Sequence, residues 1–493
     1  MPRIRRFSGS NSSGKKRRTP ISAGRIGNGH SEQNKRLTTG NFKFLSDFSA
    51  IFAYVNPDGH HLPKPSEPRD PQKSPAMQKR YPLLLLALIV LFTASAREPR
   101  PVMEPDSTGE LLARLRNMPN IEVGRGITFR PKSDRFEVTM RFRMQNLLAL
   151  RFDDNLSLTQ TDARVKRLRL RFDGYIYSPR LVYSIQLGFT GYDAEVLPNG
   201  NMNIVRDAIV YYVPNPKWNI GFGQTKIKSN RARINSSGAL QFVDRSIVNS
   251  QFHLDRDFGL FGEYHLDRPE GFDLGFKGSV TLGEGRNWGA TDNGGLAYTG
   301  RLELYPLGHF AAKGDVIEGD FAGEDRLRML VAGAYSFNHK ASRLNGQRGA
   351  VMPDGETRNI GSYFVDLILK YRGWAFYTDY MGRICSQPTF GAADPAAFVY
   401  TGQGLNLQTS YLFNKRWEIA LRNSTLFPDA EIRSRTGYRT HNQTTFGVTR
   451  YIIGHSLKVQ ADLSYNTYDR LPSAVGEALR NGWELRFQVE LGL

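Results

Sequence analysis

Between Lys166 and Ile176 the chain reads K-R-L-R-L-R-F-D-G-Y-I, and two chemistries alternate residue by residue. Leu168, Leu170, Phe172 and Ile176 share one parity, and Arg167, Arg169, Arg171 and Asp173 share the other. A helical period would mix these sets, whereas a period of 2 gives each its own face. The segment is therefore expected to be a β-strand with one apolar and one cationic side. Few surroundings suit both sides. A membrane barrel does, with hydrocarbon against the leucines and water against the arginines.

The same pattern recurs from Arg135 to the end of the chain. Residues 135–145 set Phe136, Val138, Met140, Phe142 and Met144 opposite Arg135, Glu137, Thr139, Arg141 and Arg143. Residues 483–493 alternate Trp483, Leu485, Phe487, Val489, Leu491 and Leu493 with Glu484, Arg486, Gln488 and Glu490. Ten residues at ~3.3 Å each, tilted by ~45°, cover roughly 23 Å, which matches the ~25 Å apolar band of an outer-membrane barrel. Comparable runs fall near 181–190, 204–213, 217–226, 256–265, 272–282, 296–305, 326–338, 360–371, 373–382, 402–413, 416–425, 443–453 and 455–466. The fold class expected is all-β: a transmembrane antiparallel β-barrel of about 16 strands over 135–493. An even count closes the sheet and leaves no edge in the membrane.

The connections support this reading. Short turns are expected around Ser178, Pro214, Asp267, Arg372, Asn414 and Ile453, with long loops between them and 306–325 as an irregular connection at the short-turn end. Barrels of this kind alternate short periplasmic turns with long external loops. Tyr175, Tyr177, Tyr211, Tyr212, Trp218, Tyr305, Tyr371, Trp374, Trp417 and Tyr451 lie beside the short turns and are expected to form the aromatic girdle at headgroup depth. A soluble all-β protein explains neither the strand length nor the alternation of turns.

One long apolar run occurs, Tyr81 to Phe92, with Lys79 and Arg80 before it and Thr93 to Ala96 after it. A basic flank, an apolar core of about a dozen residues and an A-x-A end describe a secretory signal peptide, too short for the ~20 residues of a membrane helix. The expected organisation is a basic, disordered segment at 1–76 arising from a start placed too early, a signal peptide at 77–96 beginning with Met77, a short periplasmic segment at 97–134, and the barrel. The whole chain of 493 residues carries a formal charge of +19, and residues 97–493 carry +8. The clusters at Arg3 to Arg6 and Lys15 to Arg18 could suggest a nucleic-acid patch, but one placed ahead of an export signal makes little sense, and no nucleic-acid partner is expected. Outer-membrane lipid is the expected surrounding, in a Gram-negative cell.

The arginines set the orientation of the strands. An Arg or Lys at the bilayer midplane costs ~2–4 kcal/mol, so Arg141, Arg143, Arg167, Arg169 and Arg171 are expected to face the lumen. The simpler view is that they are solvated lumen charges balanced by Glu137, Asp173 and others. The third loop, 228–256, is polar but contains Ile234, Leu240, Phe242, Val243, Ile247, Val248, Phe252 and Leu254. An external loop in water has no need of them, so this one is expected to fold inward and narrow the pore. Lys226, Lys228, Arg231, Arg233, Arg245 and Arg256 outnumber Asp244, Asp255 and Asp257 there. Arg and Lys at a constriction favour anions, phosphate included.

R-F-R-M-Q-N (141–146), G-F-G-Q-T-K (221–226), F-V-D-R-S (242–246), L-D-R-D-F-G (254–259), Y-T-G-R-L-E-L-Y-P (298–306) and K-G-D (313–315), in this order, resemble the phosphate-selective porin O and P family, most nearly its Bacteroidetes-type members. The resemblance covers about 124–493. It implies a sixteen-stranded, homotrimeric outer-membrane porin with an inward-folded third loop, and passive diffusion of small anions such as phosphate.

No H-E-x-x-H, G-x-S-x-G, Walker loop or S-x-x-K of the β-lactamase kind occurs, the single cysteine Cys385 offers no ligand spacing, and no enzyme activity, cofactor or metal is expected. The alternative function is a plugged structural barrel whose loops 339–359, 383–401 and 426–442 meet a partner. N-terminal sequencing of the exported protein is expected to begin at Arg97; a mature chain retaining residues 1–76 would contradict the assigned signal.

Overall fold

The computed structural model describes residues 120–493 apart from 123–124, 132–134, 197–201, 267, 269–270, 288–293, 392–395 and 473–478. The expected segments 1–76 and 77–96, and residues 97–119 of the third, lie outside the described residues. Sixteen strands carry the alternation: β1 (Phe136–Asp153), β2 (Leu158–Ile176), β3 (Ser178–Gly188), β4 (Val205–Asn215), β5 (Trp218–Lys226), β6 (Arg256–His265), β7 (Asp273–Thr281) and β8 (Ala297–Tyr305). They continue as β9 (Arg328–Ala341), β10 (Arg358–Tyr371), β11 (Trp374–Cys385), β12 (Gly402–Phe413), β13 (Trp417–Pro428), β14 (Tyr438–Ile453), β15 (Leu457–Arg470) and β16 (Gly482–Gly492). Each pairs antiparallel with the next, and β16 returns to β1 from Gly482↔Asp153 to Gly492↔Arg143. The barrel is closed, so its ladder hydrogen bonds leave no edge in the membrane.

The period of 2 sorts the side chains. On β12, Leu405, Leu407 and Phe413 are exposed while Asn406, Gln408 and Ser410 are buried. That is the inverse of a soluble core. The polar set faces the barrel interior and the apolar set faces lipid, because hydrocarbon charges nothing for leucine and several kcal/mol for an unsatisfied polar group.

Two departures from the sequence reading have clear causes. β1 and β2 run to 18 and 19 residues and are joined by the tight turn 154–157, where Asp153 Oδ1 accepts from the amides of Asn155 (3.0 Å) and Ser157 (2.8 Å). A carboxylate that caps its own turn needs no long loop. Secondly, Tyr177, Tyr212, Trp218, Tyr371 and Trp374 are exposed as a girdle requires, but Tyr305 and Tyr451 are buried on the polar face. Their hydroxyls donate to Glu303 (3.3 Å) and Glu418 (2.5 Å). Nearness to a turn had assigned them outward, whereas their parity places them within.

At the end where the chain passes from β2 to β3, the connections are brief (177, 216–217, 372–373, 414–416, 454–456), except 266–272 and the longer 306–327. Beyond the end of β16, residues Gly126–Phe129 pair with β1 through Ile127↔Met140 and Phe129↔Val138. Leu260, exposed near the middle of β6, tests the lipid-facing assignment. Leu260→Lys is expected to destabilise the barrel by about 2–4 kcal/mol in vesicle unfolding by denaturant, and an unchanged midpoint would contradict it.

Candidate functional site

Two neighbouring strands supply the cationic wall. Arg141 on β1 lies directly opposite Arg171 on β2, and Arg143 opposite Arg169. Like charges in register repel, so these pairs weaken the sheet unless carboxylates divide them. Asp173 lies 2.8 Å from Arg171 and 3.5 Å from Arg141, and Glu490 lies 3.2 Å from Arg143. Asp193 takes both guanidinium nitrogens of Arg169 at 2.6 Å and pairs with Arg206 at 3.0 Å. Burial alone would raise the Asp193 pKa, but Arg169 and Arg206 hold it below the usual carboxylate range.

The wall encloses a cavity of about 280 Å³ lined by Arg141, Arg143, Arg169, Arg171, Gln186 and Ser236, with the end of β16 and the 454–456 turn behind them. No Asp or Glu side chain lines it. Arg141, Arg171 and Arg143 keep 46%, 43% and 31% of their side chains exposed. These three guanidinium groups remain open to a solute.

β2 also holds an irregularity that alternation does not predict. Its register runs Arg167↔Gln145 and then Val165↔Asn146, leaving Lys166 as an extra residue. A bulge lets two successive residues turn to the same side. Lys166 and Arg167 are therefore both buried within the barrel, where the lipid cost would otherwise have fallen on Lys166. A lysine at an outward parity position is itself the signal for such a bulge, and it was legible in the sequence.

Residues 227–255 contain two short helices, α1 (Arg231–Ile234) and α2 (Ile247–Phe252); Ser246 Oγ caps α2 by accepting from the Asn249 amide at 3.1 Å. Of the apolar residues singled out in this loop, Leu240, Phe242, Val243, Val248, Phe252 and Leu254 are fully buried. The segment bonds to the buried polar faces of distant strands. Lys458 and Gln460 donate to Leu240 O (2.8 and 3.1 Å), Gln241 to Glu418 (2.7 Å), the Val243 amide to Asp462 (3.0 Å), and Arg422 to Asp244 O (2.8 Å). Glycines make room for it. A Cβ on Gly447 would lie 2.7 Å from the Phe242 ring, and one on Gly404 2.9 Å from Val248.

The basic residues of this segment are spent on the protein itself. Arg231 is fully buried, 2.5 Å from Glu303 and 3.3 Å from Asp315. Arg233 pairs with Asp255, and Arg256 lies 3.0 Å from Asp207 and 3.2 Å from Asp255. Arg245 donates to the carbonyls of Ala232 (2.5 Å) and Asn235 (2.9 Å), and Lys226 to those of Arg233 (3.0 Å) and Asn235 (3.4 Å). Lys228 is half-buried beside Glu263 and Lys277. Burial would raise the Asp255 pKa, yet Arg233 and Arg256 hold it well below its ordinary value.

The connection 306–327 meets this segment. Glu318 accepts from the Gln241 amide (2.9 Å) and from Gln408 (3.2 Å), and its own amide donates to Ala239 O (3.2 Å). Lys370 anchors the connection by donating to the carbonyls of Gly314, Ile317 and Gly319 at 2.6–2.7 Å. Nothing in the composition of 306–327 had announced this role. Among the described residues, no group of three or more His, Cys, Asp or Glu is arranged to hold a metal ion.

Residues 138–276, which include the cationic wall and the whole of 227–255, match the family model of phosphate-selective porin O and P. Over this stretch the chain is similar to that family. The porin is similar in structure to the outer-membrane channel DcaP of Acinetobacter baumannii, at 12% identity, covering 75% of this chain and 100% of that one, with a TM-score of 0.47. It is similar to OprB of Pseudomonas putida, at 10% identity over 72% of this chain and 94% of that one, TM-score 0.46. A third similar structure is an anion-selective porin from Comamonas acidovorans, at 9% identity over 73% and 100%, TM-score 0.44. Comparison with curated proteins returns no significant match.

The split between open and engaged arginines is testable. Arg231→Gln leaves Glu303 short of a buried partner and is expected to cost the porin roughly 3–5 kcal/mol, while Arg141→Gln is expected to leave the unfolding midpoint unchanged. Equal losses would contradict the split.

Proposed function

We propose that this outer-membrane porin is a passive, anion-preferring diffusion pore, with phosphate among the anions it admits. The observation that carries the proposal is the 280 Å³ cavity with three part-exposed guanidinium groups and no Asp or Glu side chain in its lining. Asp173 and Glu490 pair with these arginines from outside the lining, and the lining itself stays basic, which concentrates anions against low-dielectric walls. A second cavity, of about 620 Å³, opens at the opposite end of β1 and is lined by Arg151, Gln160, His441, Gln443, Asn466 and Glu484, where basic and acidic groups are mixed. Both cavities rest against β1, β2 and β16, so the route we infer runs along that wall rather than down the barrel axis.

Residues 227–255, on this reading, fold into the lumen and set the narrowing. Their bonds to β12, β13 and β15 on one side and to β2 on the other support it. Residues 77–96 would direct export to the outer membrane of a Gram-negative cell, and a homotrimer is the assembly the family resemblance implies. The plugged-barrel reading rests on a different observation, that 227–255 and 306–327 bond to each other and to the buried face of β12.

Planar-bilayer recording separates the two. The expected result is a steady conductance whose reversal potential across a potassium chloride gradient carries the sign of chloride selectivity. Selectivity should be stronger at 0.1 M than at 1 M salt, because the screening length shrinks from ~10 to ~3 Å. Neutralising Arg141, Arg143 and Arg171 together is expected to move the reversal potential toward zero. A silent bilayer would sink the pore, and a cation-selective potential would sink the anion preference.

A further inference from the structure

The wall of β1 and β2 meets residues 227–255 at Ser236, Ser237, Val243 and Asp244, and of these Asp244 alone brings a charge. Its carboxylate takes Lys166 Nζ at 2.7 Å through Oδ2 and faces Arg167 Nη2 at 3.5 Å through Oδ1. Lys166 and Arg167 keep only 2% of their side chains exposed, whereas Asp244 keeps 26%. The carboxylate thus lies on the accessible side and covers two cations behind it.

Those cations are incompletely matched. Two positive charges share one carboxylate in direct contact, Asp193 and Glu490 act on Arg167 only from farther off, and the distance from Arg167 to Asp244 is that of an ion pair rather than a good hydrogen bond. Arg167 does donate from Nη1 to Gln145 Oε1 at 2.6 Å, and Gln145 donates in turn to Glu490 at 2.9 Å. Its Nε nonetheless has no hydrogen-bond partner despite full burial. The Tyr192 ring centroid lies 4.8 Å from the guanidinium. The neighbouring Arg486 is already held by Asp462 at 2.6 Å and lies 3.5 Å from Glu484. An unused donor therefore remains beside two cations in contact with a single carboxylate, and a planar fork of this kind suits an oxyanion.

We propose that Asp244 is a built-in competitor for the permeating anion: it occupies the Lys166 and Arg167 site, closes the passage between the two cavities, and yields to a doubly charged oxyanion. The two cations together match a dianion better than they match one carboxylate. The bulge in β2 is what makes the site possible, because it delivers two consecutive cations to one point. Asp244 sits on a connection between strands, so its side chain can leave without disturbing the ladder. The contact Lys166 keeps with Val243 O at 3.2 Å holds the lysine in place when the carboxylate departs.

This inference rests on the anion-conducting reading above, and its test is separable from it. Asp244→Asn, with unheated electrophoretic mobility as the check on folding, is recorded in planar bilayers in chloride with added phosphate. The variant is expected to conduct chloride at least about twofold better than the natural chain. Phosphate should block that current at about tenfold lower concentration, or about 1.4 kcal/mol, since a charged competitor has been removed. The pair Lys166→Gln with Arg167→Gln should also raise conductance but should lose the block by phosphate. A merely loosened loop would not move phosphate affinity in opposite directions in the two variants. Wild-type conductance and phosphate block in Asp244→Asn, or block retained in the double variant, would overturn the proposal. Should the variants fail to fold, the natural chain decides. Millimolar sulfate is expected to block its chloride current and acetate at the same concentration is not, while equal responses overturn the proposal. An anion-selective channel indifferent to Asp244 would sink this inference alone; a channel without anion selectivity would sink the reading beneath it.

Discussion

The cost of placing a guanidinium in hydrocarbon governs this barrel. With Arg167, Arg169 and Arg171 on one side of β2 and Leu168, Leu170 and Phe172 on the other, only one orientation of the strand avoids a penalty of several kcal/mol. Alternation then carries the decision to every neighbouring strand, since pairing in register leaves each strand no choice of face. The result concentrates positive charge where little water remains. Arg141 faces Arg171 and Arg143 faces Arg169, and such pairs persist only if acidic groups come to them.

The segments between strands answer that need. Asp193, Asp244, Asp255 and Asp315 all lie on connections, and each pairs with a cation of the wall or of 227–255. Salt bridges this deep add little net stability, because desolvation offsets attraction, but breaking one leaves an uncompensated charge. Their consequence is positional. They fix where residues 227–255 dock, and they divide the arginines into those buried by the fold and those that keep exposed surface. Arg231, Arg233 and Arg245 belong to the first group, and Arg141, Arg143 and Arg171 to the second. Lys370 extends the same logic to 306–327, using backbone carbonyls in place of a carboxylate.

Much of the architecture was legible because a period of 2 in a membrane has one physical meaning. Strand existence, parity and closure follow from it, as the match between 402–413 and β12 illustrates. What the pattern could not convey was anything depending on partners distant in sequence. Arg231 reads as a free cation until Glu303 and Asp315 are brought to it across more than seventy residues. Tyr305 and Tyr451 read as girdle residues until their parity with Glu303 and their contact with Glu418 are considered. Lys166 lay between these cases, since its misplaced charge was visible and only the bulge that relieves it was not inferred.

Crystals grown in bromide would test the division of the arginines most directly, because anomalous scattering locates an anion without reference to conductance. The account predicts bromide in the cavity beside Arg141, Arg143 and Arg171 and none beside Arg231, Arg233 or Arg245. Peaks clustered on residues 227–255 with the wall cavity empty would contradict it.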